Sequence, residues 1–207
     1  MVPVESDLFS RFGQELQAGT VIFKEGEEGD QMFIIQSGRV KVSRLIGGKE
    51  QVLAVLGKGD FFGEMTLVTR ERRTATVTTL EPVRLLAFNR EGFLGMINKN
   101  PKIALNIIDK LCRRLSYANQ HLRHLARKDA RGLIAMNLRL GFQAAGAGGL
   151  DRERTMEEFA RNLELDPGTV RGVLEEFGRA GIVRFTAASL ELADEAGLNL
   201  ISEPLGV

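Results

Sequence analysis

Phe62-Gly63-Glu64-Met65-Thr66-Leu67, a five-residue spacer, then Arg73-Thr74-Ala75-Thr76-Val77-Thr78-Thr79: this stretch decides how the rest of the chain is read. Its chemistry is that of a cradle for a small anion that also carries a sugar. Arg73 offers a two-pronged, permanently charged donor. Thr74 sets a hydroxyl beside it, and backbone N–H groups after Gly63 can close an anion-binding concavity. Glu64 is an acceptor for a ribose hydroxyl, and Gly63, lacking a Cβ, lets a ligand come close to the backbone. Arg73 and Glu64 could instead pair only with each other. A buried pair kept for no purpose is costly, however, and the hydroxyl and the glycine accompany it, so a ligand site is the expected reading.

The segment lies among short apolar stretches at residues 20–23, 32–36, 40–45, 52–56, 75–79 and 83–88. Gly26, Gly29, Gly38, Gly47-Gly48, Gly57, Gly59 and Gly63 fall between them. Short strands with a glycine turn about every ten residues predict a β-roll or barrel. Gly47-Gly48 marks a hairpin.

The texture changes after Phe88. Asn100-Pro101 sets a capping side chain before a proline suited to the first helical turn, and neither glycine nor proline follows until beyond Lys128. Ile108, Leu111, Leu115, Ala118, Leu122 and Leu125 recur at alternating spacings of three and four, a seam of coiled-coil period. The seam runs past what a small roll could cover, so the helix over residues 100–128 is expected to form a homodimer. Lys110, Arg113, Arg114, Arg123, Arg127 and Lys128 make its outer face basic, by default a solvated face. Asp129 predicts a cap for a helix over residues 130–140, followed by a loop at 141–149. Thr155 to Glu158 reads as a capping box opening a helix through Leu163. Asp166-Pro167 opens another, through about Ala180, with Gly181 as terminator. Residues 182–185 and 189–192 suggest a two-stranded ribbon. Two short helices, a tight turn and a ribbon describe a winged helix-turn-helix. The expected fold class is α+β: a β-roll over residues 1–99, a long helix over 100–128 and a winged helix-turn-helix over 129–207.

Composition narrows the function. The 207 residues are 43% hydrophobic and 27% charged, with a formal net charge of +1, which is ordinary for a globular chain. That near-neutrality conceals two halves of opposite sign. Residues 1–128 hold 20 Lys or Arg against 14 Asp or Glu, whereas residues 129–207 hold 8 Arg against 13 acidic residues. The single Cys112 excludes an intramolecular disulfide and a four-thiolate iron–sulfur cluster within one chain. His121 and His124 are too few for a zinc site, so no metal is expected, and both are read as solvated helix residues. There is no apolar run of about 20 residues and no signal-peptide pattern, which predicts a soluble cytoplasmic protein. No nucleophile–base pair or metal constellation points to an enzyme.

The residues Gly63, Glu64, Leu67, Arg73, Thr74, Ala75 and Val77 resemble the phosphate-binding cassette of cyclic-nucleotide-binding domains. Thr66 departs from the small residue usual there. The order of roll, long helix and helix-turn-helix resembles the CRP/FNR family of bacterial transcription regulators over nearly the full length. The resemblance implies a cyclic nucleotide as effector, cAMP or alternatively cGMP, held by Gly63, Glu64, Met65, Arg73 and Thr74. It implies that the base is met by the long helix near Ala118 and Asn119. Asn119 can donate and accept, so it could read adenine or guanine, while Thr74 is reminiscent of guanosine-selective members. Ligand binding would then reorient the DNA-binding domains by population shift. Axial ligands of the haem-sensing members are not identifiable.

The resemblance also implies double-stranded DNA as partner, with RNA polymerase as a further one. Thr169, Arg171 and Arg161 are the expected DNA contacts. The reading face is sparse, because the first turn of the second helix holds Pro167, Gly168 and Gly172 where polar and basic side chains usually stand. Only Arg171 offers a bidentate donor for guanine, and Glu175 and Glu176 oppose an approaching phosphate backbone. Two outcomes follow: a nucleotide-gated transcription regulator, or a nucleotide-gated module that binds protein instead of DNA.

Overall fold

In the N-terminal part of the chain two antiparallel sheets close over an apolar core, with a second apolar cluster beside it. The computed structural model describes residues 4–146 and 149–202, and the chain divides into two compact units between Leu111 and Cys112. The first unit opens with α1 (Val4–Phe12) and β1 (Gly13–Leu16). Next come β2 (Val21–Phe23), β3 (Gln31–Ser37), β4 (Val40–Ile46), β5 (Lys49–Leu56) and β6 (Phe61–Phe62). After α2 (Glu64–Thr69), strands β7 (Thr76–Thr79) and β8 (Val83–Asn89) complete the roll. One sheet has the order β1-β8-β3-β6 and the other β2-β7-β4-β5. Ile35, Val40, Val77 and Leu85 fill the space between them, with the rings of Phe33 and Phe62 stacked 5.1 Å apart. The β4–β5 hairpin turns at Gly47-Gly48 with φ of 57° and 78°, the left-handed pair that a two-residue hairpin needs.

All six apolar stretches marked in the sequence lie in or overlap these strands. β1 and α2 carried no comparable signal. β1 (GQEL) lacks an apolar run and exists because β8 offers it a ladder from Gly13↔Leu86 to Leu16↔Val83. α2 is a six-residue helix, too short for periodicity to reveal.

Two helices follow, α3 (Arg90–Lys99) and α4 (Pro101–Ala126). Asn100 ends the first and starts the second, its Oδ1 accepting from the Lys102 N–H at 3.2 Å. α4 belongs to both units. Along it Leu105, Ile108, Leu115 and Leu122 are 66%, 55%, 63% and 61% exposed in the single chain, so most of the seam is uncovered.

The second unit continues with α5 (Ala130–Ala145), β9 (Leu150–Asp151), α6 (Arg152–Asn162) and α7 (Pro167–Arg179). It ends with the ribbon β10 (Val183–Phe185) and β11 (Ser189–Leu192) and with α8 (Glu195–Ser202). Phe159, Val170, Leu174 and Phe177 are buried as their spacing predicts, with Leu163, Leu165 and Val173 packed around them. Asp166 caps α7 by accepting from the Thr169 N–H at 3.0 Å, Pro167 stands in its first turn, and Gly181 turns the chain at φ 73°.

Three expectations need correction. The loop placed at 141–149 is helical as far as Ala145, because Phe142 is buried in the core and the bare Gly141 packs against Leu150; Ala147 and Gly148 lie outside the described residues. The capping box at Thr155 is not a helix start. β9 pairs with β11 and delivers the chain into α6 at Asp151, whose side chain accepts from the Arg154 N–H at 2.8 Å, leaving Thr155 buried inside the helix. His124 is not solvated: it is 3% exposed, with Nδ1 2.7 Å from Asp129 Oδ2 and Nε2 3.1 Å from the Ser202 carbonyl. Its ring occupies the space a Cβ on Gly132 would need. Burial works against ionisation of Asp129, but hydrogen bonds from Gly132 and His124 outweigh it and hold the carboxyl below its ordinary range.

Candidate functional site

The marked stretch forms a single corner of the roll. β6 ends in the buried rings of Phe61 and Phe62, and Gly63 then turns at φ 79° to begin α2. That left-handed conformation favours glycine. A Cβ there would also stand 2.7 Å from Arg73 Nη1 and 3.1 Å from the Gln31 carbonyl oxygen.

Arg73 is the centre of the corner. Only 6% of it is exposed. Its backbone is clamped by the loop between β2 and β3: the Arg73 N–H donates to the Glu27 carbonyl and the Gly26 N–H donates to the Arg73 carbonyl, both at 2.8 Å. The side chain donates from Nη1 to the Gly63 carbonyl at 3.1 Å and lies 4.1 Å from the centroid of the Phe23 ring. Its Nε is buried with no hydrogen-bond partner among the described residues. Burial lowers the Arg73 pKa from its ordinary value, while Asp30, Glu27 and Glu64 pull in the opposite direction. A buried, fixed guanidinium with an unsatisfied donor is an arrangement that an anion completes.

Gly63, Glu64, Met65, Arg73 and Thr74 are brought together here. Glu64 lies in the first turn of α2, and its charge acts on Arg73. Thr74 Oγ1 donates to Met65 Sδ at 3.4 Å, and Met65 is 46% exposed. Thr66 is buried, so its methyl and hydroxyl sit inside the helix corner. Asn119 falls on the part of α4 that belongs to the second unit and is exposed there. Reading the sequence missed Gly29, taken only as turn punctuation. A Cβ at Gly29 would lie 2.4 Å from the Arg73 guanidinium, so that glycine shapes the pocket in which the arginine rests. Phe23, against whose ring the guanidinium packs, carries no signal in the sequence beyond its place in a strand.

On the second unit, Thr169 and Arg171 are exposed at the start of α7 and Arg161 is exposed at the end of α6. Neither Arg161 nor Arg171 forms an ion pair among the described residues. Other arginines are engaged: Arg154 with Glu158 at 2.8 Å, Arg131 with Glu176 at 3.0 Å and Arg184 with Glu191 at 3.9 Å. The turn between α6 and α7 places Glu164 at φ 53°, a left-handed conformation that costs a non-glycine residue about 1 kcal/mol. No group of three or more His, Cys, Asp or Glu side chains able to hold a metal occurs among the described residues, and none of their helices is long and apolar enough to cross a membrane.

Roll, cassette and buried arginine define a cyclic nucleotide-binding domain, and the model of that domain matches residues 13–100. A CRP-like cAMP-activated global transcriptional regulator of Mycobacterium tuberculosis is 33% identical over 186 residues, 87% of this chain and 83% of the relative. The cyclic AMP receptor protein of Thermus thermophilus is 35% identical over 205 residues, 98% of this chain and 94% of the relative. The crystal structure of the Thermus thermophilus catabolite activator protein superposes with a TM-score of 0.53 at 33% identity, covering 98% of this chain and 95% of that one. The chain belongs to the CRP/FNR family of transcription regulators.

Proposed function

We propose that the chain is a cAMP-gated, dimeric, cytoplasmic regulator of transcription, with a sensor at residues 1–99, a coupling helix at 100–128 and a DNA-binding domain at 129–207. The observation that carries it is Arg73, buried on the Phe23 ring between two glycines with one donor unsatisfied. In this reading the Arg73 fork and the Thr74 hydroxyl hold the cyclic phosphate, Glu64 accepts from the ribose 2′-hydroxyl, and the backbone at Gly63 and Met65 closes the cradle. Asn119 meets the base. Two relatives spanning most of the chain are named for cAMP, which favours cAMP. The hydroxyl of Thr74, held beside Met65, is the observation that keeps cGMP as the second reading.

The uncovered seam of α4 is the dimer interface, since isolated leucines more than half exposed at coiled-coil spacing ask for a partner helix. Binding that differs in affinity between two arrangements of the helix pair shifts their populations by that difference and no more. The output is double-stranded DNA, contacted through Thr169, Arg171 and Arg161, with RNA polymerase downstream. The chain is a regulator and performs no catalysis.

Calorimetry with cAMP and cGMP, followed by filter binding to duplex DNA at several salt concentrations with and without the nucleotide, tests this. Tighter binding of cAMP than cGMP and salt-sensitive, nucleotide-dependent DNA retention are expected. No heat with either nucleotide refutes the sensor. Nucleotide binding without DNA retention at any salt assigns the second unit to a protein partner.

A further inference from the structure

Lys110 lies on α4 within the first unit, and its ammonium forms an ion pair with Oδ1 of Asp60. Asp60 is no ordinary surface carboxylate. Its other oxygen accepts from the Gly57 N–H at 3.0 Å, its N–H donates to the Gly57 carbonyl at 2.9 Å, and its carbonyl accepts from the Ile35 N–H at 2.9 Å. The residue is therefore locked to β3, with no slack in its backbone. The next two residues are the buried Phe61 and Phe62, and the one after them is Gly63, whose carbonyl receives Arg73 Nη1.

A continuous track of short, stiff links thus runs from the guanidinium of Arg73 through Gly63, Phe62, Phe61 and Asp60 to an ammonium on α4. The two ends of the pair are only 34% and 28% exposed, so water screens it less than a free surface pair. Beside it, Leu67 of α2 and Phe61 share an apolar cluster in which Ile107 of α4 also packs. Lys110 is one residue from Leu111 and two from Ile108, both members of the exposed seam.

We propose that Asp60 and Lys110 are positioning residues that form an electrostatic strut, transmitting occupancy of the cassette to α4. This rests on the nucleotide reading above. An anion drawn onto Arg73 competes with the Gly63 carbonyl for the guanidinium. Any shift of Gly63 is passed along two rigid residues to Asp60 and thence, through the ion pair, to the helix that carries the seam. The apolar cluster keeps α4 on the roll in either arrangement. The charge pair, being directional, sets which arrangement it takes.

Hydrogen exchange of the full chain, with and without cAMP, tests the strut because it reads both ends at once. In the wild-type chain, cAMP slows exchange in residues 62–79 and along α4. In Asp60→Asn, which retains an acceptor for the Gly57 N–H, and in Lys110→Met, which retains the aliphatic stem, protection of the cassette persists. The cAMP-dependent protection of α4 falls roughly two- to five-fold, the range that a partly exposed ion pair supports. Exchanging the charges (Asp60→Lys with Lys110→Asp) recovers part of the effect, and Lys110→Arg recovers most of it. Unchanged α4 protection in both single variants, or no cAMP-dependent change along α4 in the wild type, overturns the strut. Absence of cassette protection in the wild type sinks the nucleotide reading itself and the strut with it.

Discussion

The cassette in the roll and the proposed reading face of the helix-turn-helix each centre on one arginine, but the two arginines are held in opposite ways. Arg73 is 6% exposed, clamped at its backbone by Gly26 and Glu27 and fitted against Phe23 and two glycines. Arg171 stands exposed on α7 with Gly172 beside it and no ion pair among the described residues. Fixing the first charge in advance spares the ligand the cost of ordering it. An exposed Arg171 would lose rotamer entropy in any DNA contact it made, and its neighbours Pro167, Gly168 and Gly172 offer no further side chain to a base edge. The sensor is a preorganised site, whereas the output surface is a scaffold with few readers.

Removing Arg73 is the strongest way to break that comparison. Arg73→Ala should weaken cAMP by about a hundred-fold in calorimetry, the scale of losing charge-assisted hydrogen bonds in a buried site; unaltered affinity would show that the anion is held elsewhere. Gly29→Ala sharpens the same point without touching the charge. Its Cβ would stand 2.4 Å from the guanidinium, so the arginine must shift, and a fall in affinity of about ten-fold is expected. Retained affinity would mean that preorganisation contributes little.

On the other face, Arg171→Ala should cost about 1–3 kcal/mol on preferred DNA and relax the choice at one base pair, as read by selection from a random-sequence pool. Arg161→Ala should instead lower the salt slope by about one with no change of sequence preference. If the two variants behave alike, Arg171 touches phosphate and reads no base. The smallest effect concerns the turn between the helices. Glu164→Gly should raise stability by about 0.5 kcal/mol in thermal denaturation, because relief of a left-handed backbone at φ 53° outweighs the extra entropy that glycine gives the unfolded chain.

Much of the roll was legible because glycine turns and short apolar runs are local signals, and the β4–β5 hairpin is written in two adjacent glycines. The recognition-helix start was equally local, set by Asp166 and Pro167. Features that failed to show in the sequence were those made by a distant partner. β1 needs the ladder of β8, and α5 continues past Gly141 because Leu150 packs on the space that the missing Cβ leaves. His124, apparently one more polar residue on a basic helix, is buried between Asp129 and a carbonyl 78 residues away in sequence. Spacing along a helix cannot report an acceptor supplied from its far end of the chain.

The residues that would hold a cyclic phosphate, and the order of roll, long helix and winged helix-turn-helix, were determined by the sequence itself, since both rest on residue types at short spacing. The tertiary structure alone decided how the arginine is held. Gly29 and Phe23 lie 44 and 50 positions before Arg73, and only closure of the sheets brings them to it. There the low dielectric and the missing Cβ atoms turn an ordinary side chain into a fixed, partly unsatisfied charge.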